Sequence, residues 1–300
     1  MRTLCFGEVI VDLICQRHVA SLAEADAFVP HCGGVSANVA VTAARGGAAV
    51  SLAGGAGDDQ WGAWLHDHLA AAHVDLRWFG LADGLSTSLT FVIVDAAGDP
   101  SYELYGDGTA AVVSALNGRL VEAVEACDAL LFTSNTLAGE PEAALTMAAR
   151  ERALELGRPI VFDPNVRLGR WDHSPGRAAA AAGECVPGAF LVKCNAAEAR
   201  MLTGEGDPEA AAASLLAAGA QHVIVTLGEH GAILRGGGLR RDAAGVEAEV
   251  LSTTGAGDVF LGTLLAALGT TDFYPPALAA ALPEAAAAAA RACERWGALE

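Results

Sequence analysis

Lysine is almost missing from this chain: Lys193 is the only one among 300 residues. A P-loop needs a glycine-rich turn running into Gly-Lys-Ser/Thr, and Lys193 stands between Val192 and Cys194, which excludes that class. No His-Arg-Asp or Asp-Phe-Gly tripeptide accompanies it, so a protein-kinase fold is disfavoured, and a pyridoxal enzyme would have to rely on Lys193 itself. Positive charge is scarce overall. Eighteen Lys and Arg face 36 Asp and Glu, a net charge of −18 with no basic run, which argues against a nucleic-acid partner. No apolar stretch reaches membrane-spanning length without a charge or a turn residue. The N-terminal run carries Glu8 and Asp12 and lacks a basic leader region and a cleavage site, so no membrane partner and a cytoplasmic location are expected. Seven cysteines, an odd number with no C-x-x-C, fit reduced thiols. Cys5, Cys15 and Cys127 read as small core hydrophobes.

What is present is glycine in informative places. Thr254-Gly255-Ala256-Gly257-Asp258 lies between an apolar run, 246–251, read as a strand, and a helical one, 259–268. Glycines remove Cβ bulk so that backbone amides can converge on an anion, and the helix that follows adds the positive end of its dipole. Asp258 at the helix entrance could then take a proton from an attacking hydroxyl, which makes the turn a candidate phosphoryl-transfer site. Taken alone, the same five residues also serve as an ordinary turn and helix cap. A dinucleotide fingerprint fits worse, because its third glycine would fall where Phe260 stands.

Apolar runs alternate with Ala-rich helical stretches along the chain. Strands are predicted at 4–11, 48–53, 128–133, 159–163, 189–194, 221–226 and 246–251, and helices near 36–45, 61–72, 140–156, 207–218, 259–268 and 276–296. Strands separated by helix-length segments imply a largely parallel sheet with helices on both faces, an α/β fold. Residues 87–95 and 101–105 break the alternation. A turn at 96–100 makes them an antiparallel hairpin, a candidate lid or else an edge pair of the main sheet. Polar residues gather after the strands: Asp12, Asp163 to Arg167, Asn195 to Glu198, Thr226 to Gly228, and the 255–258 turn. Strand C-termini are where open α/β sheets bind ligands, so a cleft is the better joint reading. Near the N-terminus Gly33-Gly34 precede a helix bearing Ser36 and Asn38. The glycines permit close approach to the backbone, and the asparagine offers a donor and an acceptor to a polyol. Ser36 also reads as a helix cap. Glycine is absent at position 38, so the G-x-S-x-G elbow of serine hydrolases fails.

Three temptations read blandly. His66 and His68 diverge around a helix and make a poor metal pair; Trp61, Trp64 and Leu65 share a helical face that suits the core; and the alanines at 285–290 reflect helix propensity.

In order and spacing these stretches resemble the ribokinase-like, or PfkB, family of carbohydrate kinases over essentially the whole length. The resemblance rests on Asp12; Gly33-Gly34 with Asn38 and Ala40; Gly57-Asp58-Asp59 with Gly62; Asp163-Pro164-Asn165 with Arg167; Lys193, Asn195 and Glu198; Thr226-Leu227-Gly228 with Gly231; and Thr253 to Asp258. It implies one ribokinase-like kinase domain over 1–300: a three-layer α/β/α architecture with a mostly parallel central sheet and a small β lid built from about 13–31 and 84–110. It further implies ATP-dependent phosphorylation of a sugar hydroxyl. Asp258 is then the catalytic base, and the amides of Gly255, Ala256 and Gly257 form an anion hole. Asp12, Gly33, Gly34 and Asn38 contact the sugar, while Asn195, Thr226, Gly228 and Gly231 face the nucleotide, with 289–293 as a wall of the adenine pocket. Glu198 serves Mg²⁺ through water. Ser252 stands where the family often places an aspartate of a monovalent-cation loop, which leaves a K⁺ requirement open. Lids in the family often pair subunits, so a homodimer through the lid is expected. Gly7-Glu8 and the Asp-Pro-Asn-x-Arg stretch look most like fructokinases and 2-keto-3-deoxygluconate kinases, with Arg167 a candidate sugar-acid contact. A fructokinase-like hexose kinase is the leading reading. The keto-acid sugar kinase, ribokinase and nucleoside kinase are alternatives, and a sugar-sensing protein that kept the fold is the non-enzymatic one.

Overall fold

The computed structural model describes residues 1–106, 108–116 and 118–299. Residues 107, 117 and 300 of the expected 1–300 domain, the first of them in the expected lid span, lie outside the described residues. The strands are β1 Arg2–Phe6, β2 Ile10–His18, β3 Val29–Gly33, β4 Ala49–Gly57, β5 Phe79–Ala82, β6 Leu89–Val94 and β7 Pro100–Tyr105. They continue with β8 Ala129–Thr133, β9 Ile160–Asp163, β10 Leu191–Asn195, β11 His222–Thr226, β12 Ala232–Gly236 and β13 Leu239–Ala243. The helices are α1 Val35–Arg45, α2 Gln60–Ala71, α3 Gly108–Leu116, α4 Leu120–Glu125, α5 Glu140–Glu155, α6 Pro175–Gly183, α7 Ala196–Thr203, α8 Pro208–Ala217, α9 Ala256–Thr270 and α10 Pro276–Cys293.

Nine strands form the central sheet in the order β13-β12-β11-β10-β9-β8-β1-β4-β5. All neighbours are parallel except at the β11-β12-β13 edge, which is antiparallel. Side chains on a strand alternate between faces, and the buried residues divide accordingly. Cys5, Leu131, Val161 and Ile224 pack with residues of α1, α9 and α10, whereas Leu4, Phe6, Phe132, Phe162 and Val225 pack under the helices from α3 to α8. The two apolar clusters are the two faces of one sheet. From β1 the chain first adds β4 and β5 on one side and later β8 to β11 on the other, so the strand order reverses between β4 and β8. A crevice opens outside the strand C-termini at such a point, and ligands of open α/β sheets bind there.

A second sheet stands apart, with order β3-β2-β6-β7. The expected hairpin is its β6-β7 pair, antiparallel from Leu89↔Tyr105 to Val94↔Pro100, and it belongs to this separate sheet, not to an edge of the main one. Asp12 therefore sits inside β2 of the small sheet. The run predicted as one strand over 4–11 divides at residues 7–9.

The strand predicted at 246–251 is absent. Residues 244–250 are irregular, and the Leu251 and Ser252 amides donate to the Cys293 carbonyl at 2.8 and 3.1 Å. The run lacks a partner strand, and Val246 and Val250 stay exposed. The antiparallel edge is instead the β12-β13 hairpin around Gly236, Gly237 and Gly238. Trp61 and Trp64 pack against the core beside buried Leu65, and all seven cysteines are free thiols. No helix among the described residues is long and apolar enough to cross a membrane.

Candidate active site

α9 is entered through Gly255, whose φ of 72° lies in the left-handed region and whose missing Cβ leaves room for Ala298. This is how the chain turns into a helix without a preceding strand. The Ala256 amide makes a long 3.3 Å bond to the Thr253 carbonyl, and the Asp258 amide donates to Gly255 O at 3.0 Å. Asp258 is buried in the first turn, where the helix dipole favours an anion. Its Oδ2 accepts a 2.8 Å hydrogen bond from Asn38 Nδ2, 220 residues away in the sequence. That bond ties the turn proposed for the phosphate to the helix proposed for the sugar. Asn38 Oδ1 is buried with no hydrogen-bond partner within the protein.

Among the residues expected to contact a sugar, Asp12 is buried and in register with Thr90 of β6, whose Oγ1 is also buried without a partner. Gly33 and Gly34 are required by the protein's own packing. A Cβ on Gly33 would overlap the Asp12 carboxylate, and Gly34, at φ 97°, presses on the Glu8 carbonyl. They let Asp12 and the 7–9 segment close in. Ser36 does not cap its helix; its hydroxyl donates to Phe6 O at 2.7 Å. Arg167 lies over the Tyr102 ring, 4.7 Å from its centroid. Both keep solvent access although protein surrounds them on most sides, as groups lining an open cleft do. Glu8 pairs with Arg170 at 2.8 Å, a contact that nothing in the sequence pattern signals.

Among the residues expected near the nucleotide, Asn195 and Glu198 form a capping box at the start of α7. Asn195 Oδ1 accepts the Glu198 amide at 2.8 Å, and Glu198 Oε2 accepts the Asn195 amide at 2.9 Å. Glu198 Oε1 also accepts the Val166 amide at 2.9 Å. The carboxylate spans two loops, and its remaining lone pairs suit a metal-bound water better than direct coordination. Among the described residues no group of three or more acidic, His or Cys side chains is placed to hold a metal ion. A cavity of about 490 Å³ is lined by Asn195, Ala196, Ala197, Pro208, Thr226, Leu227, Gly228 and His230. It brings together three of the four predicted nucleotide residues and adds Pro208 and His230, which no sequence motif marks. Gly231 instead packs against Ala243 to Gly245. Residues 289–293 brace the segment before α9 through Cys293.

Charge is concentrated here. Burial pushes Asp12 up to about 7, with Arg167 opposing and Asp258 and Glu8 adding to the rise. Burial lifts Asp258 to about 6, restrained by the Asn38 hydrogen bond and by Lys193 and Arg167. Glu198 is raised by burial and by Asp163, against the pull of Lys193. For Arg167 burial disfavours the charge, but Tyr102, Asp258, Glu198 and Asp12 together hold it protonated. Ser252 is fully buried; its hydroxyl donates to Thr254 Oγ1 at 2.9 Å and accepts the Thr254 amide at 3.1 Å.

A parallel sheet with its cleft at the switch point, a glycine turn with a buried aspartate on α9, and a separate small sheet carrying polar groups define a ribokinase-like sugar kinase. The chain matches the pfkB family carbohydrate kinases over residues 2–299, and it belongs to that family. It is an ATP-dependent carbohydrate kinase, fructokinase-like in its relatives. It is 31% identical to Fructokinase-2 of Solanum lycopersicum over 261 residues, 87% of this chain and 79% of that one. It is 31% identical over 263 residues to Fructokinase-1 of Oryza sativa subsp. japonica, covering 87% and 80%. Among solved structures it resembles a fructokinase from Vibrio cholerae O395 bound to fructose, ADP and calcium ion, with TM-score 0.85, 27% identity, and 99% and 94% of the two chains covered. An uncharacterized sugar kinase from Pyrococcus horikoshii in complex with ATP superposes with TM-score 0.82 at 27% identity, over 100% and 94%.

Proposed function

We propose that the substrate is fructose or a closely related ketohexose, phosphorylated by ATP with Asp258 as the base. The observation that carries the reading is the Asn38–Asp258 hydrogen bond, which joins the helix after Gly33-Gly34 to the glycine turn at 255–258. The sugar hydroxyl oxygen forms its bond to the γ-phosphorus as the bond to the bridging oxygen breaks, and the electron pair leaves with ADP. The hydroxyl proton passes to Asp258. Amides at 255–257 and the α9 dipole stabilise charge on the phosphoryl oxygens. Asn195, Thr226 and Gly228 hold the nucleotide; Asp12, Asn38 and Thr90 hold the sugar, with Gly33 and Gly34 shaping their approach. Mg²⁺ would suit this site: Glu198 would hold it through water, and when bound it would supply positive charge against the phosphates.

Arg167 favours a second reading, a 2-keto-3-deoxy sugar acid, because it is a cation in the cleft. Its charge already faces Asp12, Asp258 and Glu198, and that balance suits a neutral sugar better. ADP release measured against fructose, glucose, ribose, 2-keto-3-deoxygluconate and nucleosides separates the two. Fructose is expected to give the highest kcat/KM; preference for the sugar acid would transfer the assignment to the second reading, and ATP binding without turnover of any acceptor would support a sensor. The small sheet is the proposed lid, and its exposed face is the proposed homodimer contact.

A further inference from the structure

The only lysine in the chain lies under the catalytic turn. Lys193 points from β10 into the interior, 4% exposed, and its Nζ donates to Asp163 Oδ2 at 2.8 Å. Asp163 ends the neighbouring strand β9 and is fully buried, and its other oxygen accepts the Asn165 amide at 3.1 Å. The ammonium abuts the anion-hole turn: a Cβ built on Gly257 would lie 3.1 Å from Nζ. Gly257 is thus glycine partly to admit this charge.

Burying an ion pair is costly, and a packed apolar pair often stabilises a protein as well, so stability alone is a weak reason for it. Its position supplies a better one. A positive charge shielded from water acts at a higher effective strength than one in solvent, and this one stands behind the amides that face the phosphoryl group. We propose that Lys193, held by Asp163, is a positioning residue for phosphoryl transfer: it fixes the Gly255–Asp258 turn from behind and places a permanent positive charge beneath the anion hole. Lys193 lies behind the turn and acts through it. Its field reaches Asp258 and Glu198 from the protein side. A chain with so few cations would then carry its one lysine where the transferred charge develops.

This proposal rests on the sugar-kinase reading, and the test keeps the two separable. Replacing both partners with near-isosteric neutral groups, Lys193→Met with Asp163→Asn, avoids leaving either charge buried alone. The double variant is expected to melt within a few degrees of wild type, to lose about 100-fold in kcat, and to keep both KM values within about threefold. A folded variant with kcat within about threefold of wild type overturns the proposal, as does a loss confined to KM. A second measurement does not depend on that variant folding. Growth on ¹⁵N-labelled lysine leaves one side-chain Nζ signal in the molecule. In wild type it is expected to shift on adding ADP with Mg²⁺ and aluminium fluoride, a mimic of the transferring phosphoryl group; an unmoved signal also overturns the proposal. Wild type that turns over no sugar while its Nζ signal still responds to this mimic would refute the substrate reading alone.

Discussion

At the residue scale the site turns on buried carboxylates. Asp258→Asn keeps the size of the side chain and can still meet Asn38, but it cannot accept the hydroxyl proton. Loss of a general base costs about 10²- to 10⁴-fold, so kcat should fall within that range while both KM values hold, measured by steady-state and single-turnover assays. Because burial lifts Asp258 to about 6, kcat/KM should fall below about pH 6, roughly tenfold per unit, as the base becomes protonated. A pH profile flat to pH 5 would place the proton acceptor elsewhere. Asp12 gives a stability prediction with a definite sign. Its folded value of about 7 exceeds the ordinary carboxylate value near 3.8, so the folded state binds the proton more tightly. Stability associated with Asp12 is greatest below about pH 4 and declines as pH rises through about 7. Asp12→Asn should therefore raise stability at about pH 8 by on the order of 4 kcal/mol, have little effect near pH 4, and weaken sugar binding. Denaturant unfolding at the two pH values checks it.

At the element scale, Glu198 joins the start of α7 to the loop after β9. Glu198→Gln keeps one carbonyl-type oxygen but turns an NH₂ group toward either the Asn195 or the Val166 amide, so one of two bonds must break. A cost of about 1–3 kcal/mol in thermal or denaturant unfolding is expected, together with a weaker response to Mg²⁺. An unchanged Mg²⁺ titration with lower stability would leave Glu198 a purely structural cap. The sequence made the longer helices legible because a helix of three or more turns repeats its apolar face enough to be read. Short helices such as α4 and α7 were not legible, since six or eight residues carry little period. The apolar run at 246–251 misled because β-branched residues register burial potential and not the presence of a partner strand. The hairpin β12-β13 went unread although three glycines at 236–238 mark its turn. Of the site, the motif residues were legible by order and spacing. The Asn38–Asp258 bond, the Lys193–Asp163 pair and His230 were not, because such contacts between distant segments leave no local pattern.

At the scale of the whole molecule, the small sheet is the proposed lid. Its strand β6 alternates Leu89, Phe91 and Ile93 with Thr90, Val92 and Val94, apolar on nearly both faces, and an isolated hairpin could not satisfy that pattern in water. One face is accounted for by the molecule itself: Val92 and Val94 are fully buried, and Thr90 is in register with Asp12. The other face carries Phe91 edge-on to Phe28 and Tyr105 at ring separations of 5.0 and 5.4 Å, with Tyr105 of β7 left exposed. Closure of the first face over fructose would exclude water and suppress futile ATP hydrolysis. Cover of the second by the same sheet of another copy would remove its apolar exposure. Amide exchange at 89–105 should slow on adding fructose, and the protein should sediment as a dimer. Tyr105→Glu, which places a charge on the outer face away from Asp12, should shift sedimentation toward monomer. Identical exchange with and without sugar would refute closure, and a wild-type monomer at assay concentration would refute pairing through this face.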